Sequence, residues 1–189
     1  SSNVTITGTG LVTLTETKTL HEITVTSESG NSRTYKLTII KVKDTTTVND
    51  IISKLSVKTN DTLMFNISSG TLVSTLIQSI NKQNSNAIVN IYESSGSASS
   101  SSDLIKTNQK IKITVPSGES RTYTLIVTGD TSGDGKVTIL DLLQLQKHLL
   151  GSSVLNSVQL KSADTNLDGT TNILDLLRIQ KHILGSIRL

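Results

Sequence analysis

The chain of 189 residues contains no cysteine and no tryptophan, and its aromatic residues are one phenylalanine and three tyrosines. Without cysteine it has neither disulfides nor a catalytic thiol, although calcium sites can replace such cross-links outside the cell. The scarcity of aromatic rings argues against a sugar-binding platform. No apolar run approaches the length of a membrane span. The net charge of +3 comes without the lysine and arginine clusters that bind nucleic acid.

No pattern typical of an active site is present in the sequence. The acidic residues before residue 129 are scattered over turns and polar faces, and His21 is the only histidine in that part. A glycine-rich phosphate loop, a nucleophile elbow and a pair of carboxylates in a shared context are all lacking. We therefore predict a protein that is not an enzyme.

Two twelve-residue segments near the C-terminus carry oxygen ligands at the spacing of a calcium loop. Loop 1 runs over residues 130–141, and loop 2 follows 34 residues later, over residues 164–175. Positions 1, 3, 5, 9 and 12 offer side-chain oxygens, position 6 is glycine for the sharp turn, and position 7 offers a backbone carbonyl. The predicted ligands are Asp130, Ser132, Asp134, Lys136 (through its carbonyl), Thr138 and Asp141 in loop 1, and Asp164, Asn166, Asp168, Thr170 (through its carbonyl), Asn172 and Asp175 in loop 2.

The distribution of acidic residues favours two calcium sites over two turns that bind nothing. Residues 130–189 contain six acids, and all six occupy positions 1, 5 and 12 of the two loops. Acids that only improved solubility would also lie on the helix surfaces. Ser132 at position 3 is a weaker ligand than Asn166, so we expect loop 1 to bind calcium less tightly than loop 2.

Each loop leads into a leucine-rich helix, predicted over residues 139–151 and 173–185. The residue at loop position 9 can cap this helix, since it lies three residues before the acid at position 12. A glycine ends each helix. No helix is predicted before loop 1, where residues 121–127 alternate as a strand. Both loops end in Asp, whereas an EF-hand loop ends in Glu and is flanked by two helices.

This duplicated unit of one loop and one helix resembles the type I dockerin modules of clostridial cellulosomes and related secreted bacterial proteins. The resemblance covers residues 129–189. It implies a small all-α module that holds two calcium ions and binds a cohesin domain of a scaffold protein. It also implies a secreted or cell-surface protein, of the kind that degrades polysaccharides, and we expect a monomer outside its complex.

The resemblance further assigns a docking surface, at loop positions 10 and 11 and at positions 17 and 18 on the following helix. Residues seven apart return to nearly the same helix face. The near identity of the two repeats implies that either helix can dock, in orientations related by a half-turn. The alternative is that the four apolar members are core, because a helix needs one apolar stripe to pack. The predicted docking residues are Ile139, Leu140, Gln146, Lys147, Ile173, Leu174, Gln180 and Lys181.

Residues 1–43 alternate as β-strands, predicted at 4–7, 11–15, 23–27 and 33–41. The pattern resembles the latter part of a cadherin-like or immunoglobulin-like bacterial sandwich. A segment of this size is too short to bury a core alone. Either it continues a domain that starts earlier, or its strands join a sheet with later ones.

Residues 44–128 predict an α+β accessory domain that resembles the X-module found before some dockerins. Helices are predicted at 47–55 and 71–82, strands at 63–67 and 87–92, and a closing hairpin at 110–115 and 121–127. The serine-rich stretch 93–103 predicts a flexible surface loop. The hairpin sequence GESRTYTLIV echoes GNSRTYKLTI near the N-terminus, which suggests related sheet modules in series.

Only two residues separate the last predicted strand from Asp130, so no Pro/Thr-rich linker is present at this junction. We therefore expect the accessory domain to pack against the dockerin-like module and to fix its orientation. The alternative is an incidental short junction, because connections of this length are common.

The fold class predicted for the whole chain is multidomain. A β-sandwich-like segment (1–43) and an α+β accessory domain (44–128) precede a small all-α calcium-binding module (129–189). The predicted function is calcium-dependent anchoring through a cohesin. Two alternatives stay open: a calcium-stabilised spacer or cap without a cohesin partner, and a carbohydrate-binding accessory module.

Overall fold

The computed structural model describes residues 4–10, 18–40 and 44–189. The chain divides into two units, Ser1–Thr45 and Thr46–Leu189. The accessory segment and the two loop–helix repeats therefore belong to the same unit. In the described part of the chain, no helix is both long enough and apolar enough to cross a membrane.

The first unit contains one antiparallel sheet in the order β1-β2-β3. Its strands are β1 (Val4–Thr7), β2 (Lys18–Ser27) and β3 (Ser32–Ile40). The predicted strands at 4–7, 23–27 and 33–41 are found here, whereas the predicted strand at 11–15 lies outside the described residues. Residues 4–10 and 18–40 contain no second sheet, so the sandwich stays a prediction.

The second unit is built on a five-stranded sheet in the order β4-β5-β8-β7-β6. Strand β8 lies in the middle, parallel to β5 and antiparallel to β7. Two helices cover one face of this sheet, and the core between them contains Ile51 and Ile80 from the helices and Leu125 from β8, all buried. The elements are α1 (Val48–Ile52), β4 (Lys58–Thr59), β5 (Leu63–Ile67), α2 (Val73–Gln83), β6 (Ile88–Tyr92), β7 (Lys110–Thr114) and β8 (Ser120–Val127).

The starts of the two accessory helices differ in how they are capped. Thr47 caps α1 in a capping box, accepting from the N–H of Asp50 at 3.1 Å while the Asp50 carboxylate accepts from the N–H of Thr47 at 2.8 Å. At α2, Thr71 precedes the helix but does not cap it. Thr71 Oγ1 donates to the carbonyl of Ser68 at 2.7 Å, and the helix starts after Leu72 without a side-chain cap.

The serine-rich segment after β6, predicted to be flexible, is held by main-chain hydrogen bonds. The N–H of Ser99 donates to the carbonyl of Ile91 at 2.9 Å, and the N–H of Val73 donates to the carbonyl of Asp103 at 2.9 Å. Beneath the segment lies Gln109, 1% exposed, whose Nε2 donates to Glu93 Oε1 at 2.7 Å. A buried amide requires hydrogen-bond partners, so the contact between Gln109 and Glu93 fixes the start of the serine-rich segment to the domain.

The C-terminal part contains three helices, α3 (Ile139–Leu149), α4 (Ser157–Ala163) and α5 (Ile173–Ile183). Helices α3 and α5 pack together around Leu145 and Ile179, which are both fully buried. The glycines predicted to end α3 and α5 have φ of +72° and +73°, the left-handed conformation of a helix C-cap.

The sequence analysis did not predict helix α4, which precedes loop 2. Its signal was present in the sequence. Asn156 Oδ1 accepts from the N–H of Gln159 at 2.9 Å, and the side chain of Gln159 accepts from the N–H of Asn156 at 3.0 Å. This is the reciprocal capping box of a helix start. The second repeat therefore has a helix on both sides of its loop, whereas loop 1 directly follows strand β8.

Candidate metal centre and docking faces

Both loops fold around the carboxylate at position 1. In loop 1, Asp130 Oδ1 accepts from the N–H of Asp134 at 3.0 Å, and Oδ2 accepts from the N–H of Gly135 at 3.1 Å. In loop 2, Asp164 makes the same two bonds to positions 5 and 6, at 3.1 and 3.2 Å. The glycine at position 6 has φ of +86° in loop 1 and +90° in loop 2, a conformation that favours glycine.

The carboxylate at position 12 ties each loop to its following helix. Asp141 Oδ1 accepts from the N–H of Ser132 at 2.8 Å, and Oδ2 accepts from the N–H of Thr138 at 2.7 Å. Asp175 makes the equivalent bonds in loop 2, at 3.3 and 3.0 Å. Both acids complete a capping box with the residue at position 9. A single side chain therefore holds the loop closed and starts the helix.

Four of the six loop carboxylates are buried, with Asp130, Asp141 and Asp175 fully buried and Asp164 only 3% exposed. Among the ion pairs of the described residues, only Lys161 reaches a loop acid, at 3.1 Å from Asp164 Oδ2. Burial raises the pKa of Asp130, and the charge of Asp141 adds to the rise, although N–H donors act against it. Buried carboxylates without counter-charges are costly, so a cation fits these loops.

The remaining predicted ligands decide which cation fits best. Across residues 4–10, 18–40 and 44–189, no three His, Cys, Asp or Glu side chains lie together as a ready metal site. To its three carboxylates, loop 1 adds two hydroxyl oxygens and a backbone carbonyl, and loop 2 adds two amide oxygens and a backbone carbonyl. A carboxylate oxygen that accepts one N–H keeps a second lone pair. An all-oxygen donor set without imidazole or thiolate is the set that calcium prefers.

The two loops differ in their surroundings. Loop 2 is open: Asp168 is exposed, and hydrogen bonds from the hydroxyl and N–H of Thr170 and from the amide of Asn166 lower its pKa. Loop 1 is covered by the accessory domain. A Cβ at Gly135 would lie 2.7 Å from the carbonyl oxygen of Ile105, whereas nothing lies within 4 Å of a Cβ at Gly169.

Three hydrogen bonds join the accessory domain to loop 1. The N–H of Thr107 donates to Asp130 Oδ2 at 2.9 Å. The N–H of Val137 donates to Ser69 Oγ at 3.1 Å, and the N–H of Gly70 donates to the carbonyl of Gly135 at 3.2 Å. The accessory domain thus contributes a donor to the first predicted ligand of loop 1. The sequence analysis did not identify Thr107, because no motif marks a contact made by a backbone N–H.

Helix α4 makes a second connection with the sheet. Ser162 Oγ donates to the carbonyl of Val127 at 2.7 Å, and the N–H of Gly129 donates to the carbonyl of Ser162 at 2.8 Å. Lys161 Nζ lies 4.9 Å from the ring centroid of Phe65 on β5 while it pairs with Asp164. The spacing of three residues between Lys161 and Asp164 was a usable signal of this ion pair.

All eight predicted docking residues are exposed. Ile139 and Leu140 are 63% and 55% exposed, and Ile173 and Leu174 are 65% and 56% exposed. These four residues are therefore not part of the core. The sequence analysis left out further exposed leucines beside them, in matching pairs at 143 and 177 (both 43% exposed) and at 150 and 184 (74% and 72%). Helices α3 and α5 thus present two similar apolar faces.

Comparison with known proteins relates the C-terminal part of the chain to a protein family. Residues 128–184 match the family model described as Dockerin type I domain. A search of curated proteins found no match to the chain. Dockerin type I domains are non-catalytic interaction modules that bind calcium and cohesin domains, and the proteins that carry them are typically extracellular or on the cell surface. The part of this chain from residue 128 to residue 184 is a dockerin type I domain.

Proposed function

We propose that residues 129–189 bind two calcium ions, one in each loop, and that this form captures a cohesin domain of a scaffold protein. The chain would thereby attach a secreted, polysaccharide-degrading protein to that scaffold. The observation that carries this proposal is the repetition of one arrangement. In both repeats a loop of buried carboxylates starts a helix whose first turn exposes an Ile-Leu pair.

The position-12 acid links the calcium loop to the docking face. Bound calcium would supply the positive charge that Asp130, Asp141 and Asp175 lack, and the predicted ligand set would hold it. Asp141 and Asp175 bridge their loops and the capped helix ends. Ordering of a loop therefore orders the first turn of α3 or α5, where Ile139 and Ile173 lie. Structure in such a small module depends on the metal, because metal binding and folding are coupled.

The chemistry of the docking faces suits a protein partner. Each face has an exposed Ile-Leu pair, with Gln and Lys about two turns further along the same helix. An apolar centre with polar groups at its edge is the usual anatomy of a protein interface. The two lysines, Lys147 and Lys181, favour an acidic rim on the partner. Because the faces are equally exposed, we propose that either helix can dock.

We further propose that the accessory domain is non-catalytic and orients the dockerin. Its support is the set of hydrogen bonds on both sides of the junction, from Thr107 to loop 1 and from Ser162 to Val127. Strand β8 ends at Val127, and Asp130 begins loop 1 three residues later. So short a connection leaves the dockerin little freedom to rotate about the sheet.

Capture of purified type I cohesin domains by the full chain, in calcium and in chelator, tests the proposed function. We expect stoichiometric capture of at least one cohesin in calcium and none in chelator. Failure of every cohesin to bind in calcium would contradict the proposal and favour the spacer. Binding of polysaccharide that survives chelation and maps to residues 1–128 would favour the carbohydrate-binding alternative.

A further inference from the structure

The sheet of the first unit repeats the last three strands of the accessory domain. The sequences GNSRTYKLTI (30–39) and GESRTYTLIV (118–127) lie 88 positions apart. The cross-strand pairing repeats at the same offset: Val25 lies opposite Arg33 in the β2–β3 hairpin, and Ile113 lies opposite Arg121 in the β7–β8 hairpin. Strand β1 pairs with β2 on the side where β6 pairs with β7.

The turns of the two hairpins match as well. Thr26 and Ser32 join their hydroxyls at 2.8 Å, and Thr114 and Ser120 do so at 3.0 Å. The main-chain bonds that close each turn, including the N–H of the glycine to the carbonyl three residues earlier, are the same in both. The shared register, turn and lateral pairing indicate that the two segments form the same kind of sheet.

The apolar faces of the two sheets differ in what covers them. Tyr35 and Leu37 on β3 are 52% and 49% exposed, whereas their counterparts Tyr123 and Leu125 on β8 are 2% and 0% exposed. In the accessory domain this face packs against helix α2, and strand β5 runs parallel to β8 at its outer edge. Among the described residues of the first unit, no helix covers the face and no strand pairs with the outer edge of β3.

The covering segment in the accessory domain shows which partner this surface fits. Helix α2 contributes Val73, Leu76 and Ile80, at the spacing of one helix face, and all three are buried in the shared core. At the edge, the N–H of Thr124 donates to the carbonyl of Thr62 at 2.8 Å, and the N–H of Thr128 donates to the carbonyl of Ile67 at 2.9 Å. The counterparts of these two donors in β3 are the N–H groups of residues 36 and 40.

We propose that the apolar face and outer edge of the first-unit sheet are a docking surface for a strand–helix segment built like β5–α2. The strand adds parallel to β3 beside residues 36–39, and the following amphipathic helix covers Tyr35 and Leu37. The occupant is therefore a parallel strand followed by a helix with apolar residues spaced like Val73, Leu76 and Ile80, in the order in which β5 and α2 precede β6. The first unit is then a second copy of the accessory fold.

Grafting supplies the test. A second copy of residues 46–86 of this chain is placed directly before Val4, because Val4 is the counterpart of Ala87 in register. Amide hydrogen exchange at Lys36 and Ile40 is then measured in the full chain with and without the graft. We expect exchange at both amides to slow roughly tenfold or more when the parallel strand pairs with them. A graft whose copies of Leu76 and Ile80 are replaced by Asp is the matched control, and it should give no slowing.

Two point variants examine the face independently of the edge. In the grafted chain, Leu37→Asp should abolish the slowing, because it places a charge under the helix. The side chain of residue 38 lies on the opposite face of β3, so Thr38→Asp should leave the slowed amide exchange unchanged. Equal effects of the two variants would contradict the proposal. So would a graft that stays unprotected on the intact sheet. Concentration-dependent protection of Lys36 and Ile40 in the ungrafted chain would show that a second copy covers the face, and would also overturn the proposal.

Discussion

The main-chain N–H of Thr107 donates to Asp130 Oδ2 over 2.9 Å, so the accessory domain holds the first residue of a predicted calcium loop in the dockerin. In loop 2 the equivalent residue, Asp164, has a different partner: it forms an ion pair with Lys161, which in turn lies against the ring of Phe65. The two loops repeat each other internally, yet each depends on the accessory domain through a different chemical contact. These differences allow the packing and the metal chemistry to be tested separately.

Substitution of the position-6 glycines separates backbone strain from domain packing. Gly135→Ala and Gly169→Ala both place a Cβ at positive φ, which costs about 1–2 kcal/mol of unfolding free energy. Only the Cβ at position 135 meets a backbone carbonyl, that of Ile105, so we expect a further loss of about 1–3 kcal/mol there. Urea unfolding of both variants in calcium measures the difference. Equal losses would show that loop 1 does not pack against the accessory domain in solution.

Removal of the Lys161 ammonium tests the calcium-free state of loop 2. Lys161→Met leaves Asp164, 3% exposed, without its counter-charge, so we expect a lower melting temperature in chelator. In calcium the loss should be much smaller, because the bound cation would supply the missing charge. In chelator the variant should lose about 1–2 kcal/mol of unfolding free energy. This is less than for a fully buried ion pair, because the Lys161 side chain is 26% exposed and water weakens the interaction.

Phe65→Leu is the control for Lys161→Met, since it removes the ring under the ammonium and leaves the ion pair in place. It should lower stability by about 0.5–1 kcal/mol, equally in calcium and in chelator. A Lys161→Met variant that is equally destabilised in both conditions would argue that Lys161 acts through packing alone.

Calcium removal should loosen the dockerin before the accessory domain. The dockerin core is small, with Leu145 and Ile179 at its centre, whereas the accessory core is formed by two helices and a five-stranded sheet. We expect chelator to accelerate amide exchange in α3 and α5 and to leave α2 protected, and the helical circular dichroism to fall in parallel. Unchanged exchange in α3 and α5 would contradict metal-coupled folding.

Charge placed in the docking faces tests whether the two helices are interchangeable. Leu140→Asp combined with Leu174→Asp should abolish cohesin capture, because both apolar faces then carry a buried charge at the interface. Each single variant should retain capture through the other helix. The measurement is calcium-dependent pull-down, with calorimetric calcium binding to confirm that the loops are intact. Val154→Asp, at a position that is 87% exposed in the connection between the repeats, is the control.

The acid sensitivity of the accessory domain should depend on Glu93. Burial acts to raise the pKa of Glu93, but hydrogen bonds from Gln109 and Ser99 and the charge of Lys106 outweigh it and lower the pKa below its ordinary value. A carboxyl whose pKa is lower in the folded state than in the unfolded state stabilises the fold. This contribution is complete above the ordinary glutamate pKa of about 4.3, and it is lost as the pH falls through the folded-state pKa. In the Glu93→Gln variant, the unfolding free energy should therefore fall less steeply between about pH 5 and pH 3 than in the parent protein.

Urea unfolding between pH 7 and pH 3 measures this effect. Glu28→Gln, in the exposed turn after β2, controls for the loss of one negative charge. A Glu93→Gln variant that keeps the acid limb of the parent protein would show that the network around Gln109 does not favour the carboxylate.

Sequence reasoning predicted those features that short stretches of chain encode. The loop positions, the caps at Thr138 and Asn172 and the glycine helix ends each depend on residues within a turn of one another, and the structure contains them. The family match confirms the dockerin. The ligand set and the docking residues stay predictions, although their exposure and hydrogen bonds agree with those assignments.

The features that sequence reasoning did not predict depend on contacts between distant segments. The parallel pairing of β5 with β8 joins residues about sixty positions apart, and no local pattern specifies it. The bond from Thr107 to Asp130 uses a backbone N–H, which every residue other than proline possesses. The serine-rich segment was misjudged because composition alone does not reveal a buried Gln109 beneath it.

The position of β8 has a mechanical consequence. A bound scaffold would pull on α3 or α5, and the tension would enter the accessory domain through the two-residue junction at the end of β8. That strand lies between β5 and β7, so the load is shared in shear by two ladders of hydrogen bonds, and Ser162 clamps the junction at Val127 and Gly129. Such a junction would resist this tension through its hydrogen bonds, whereas a flexible tether would extend.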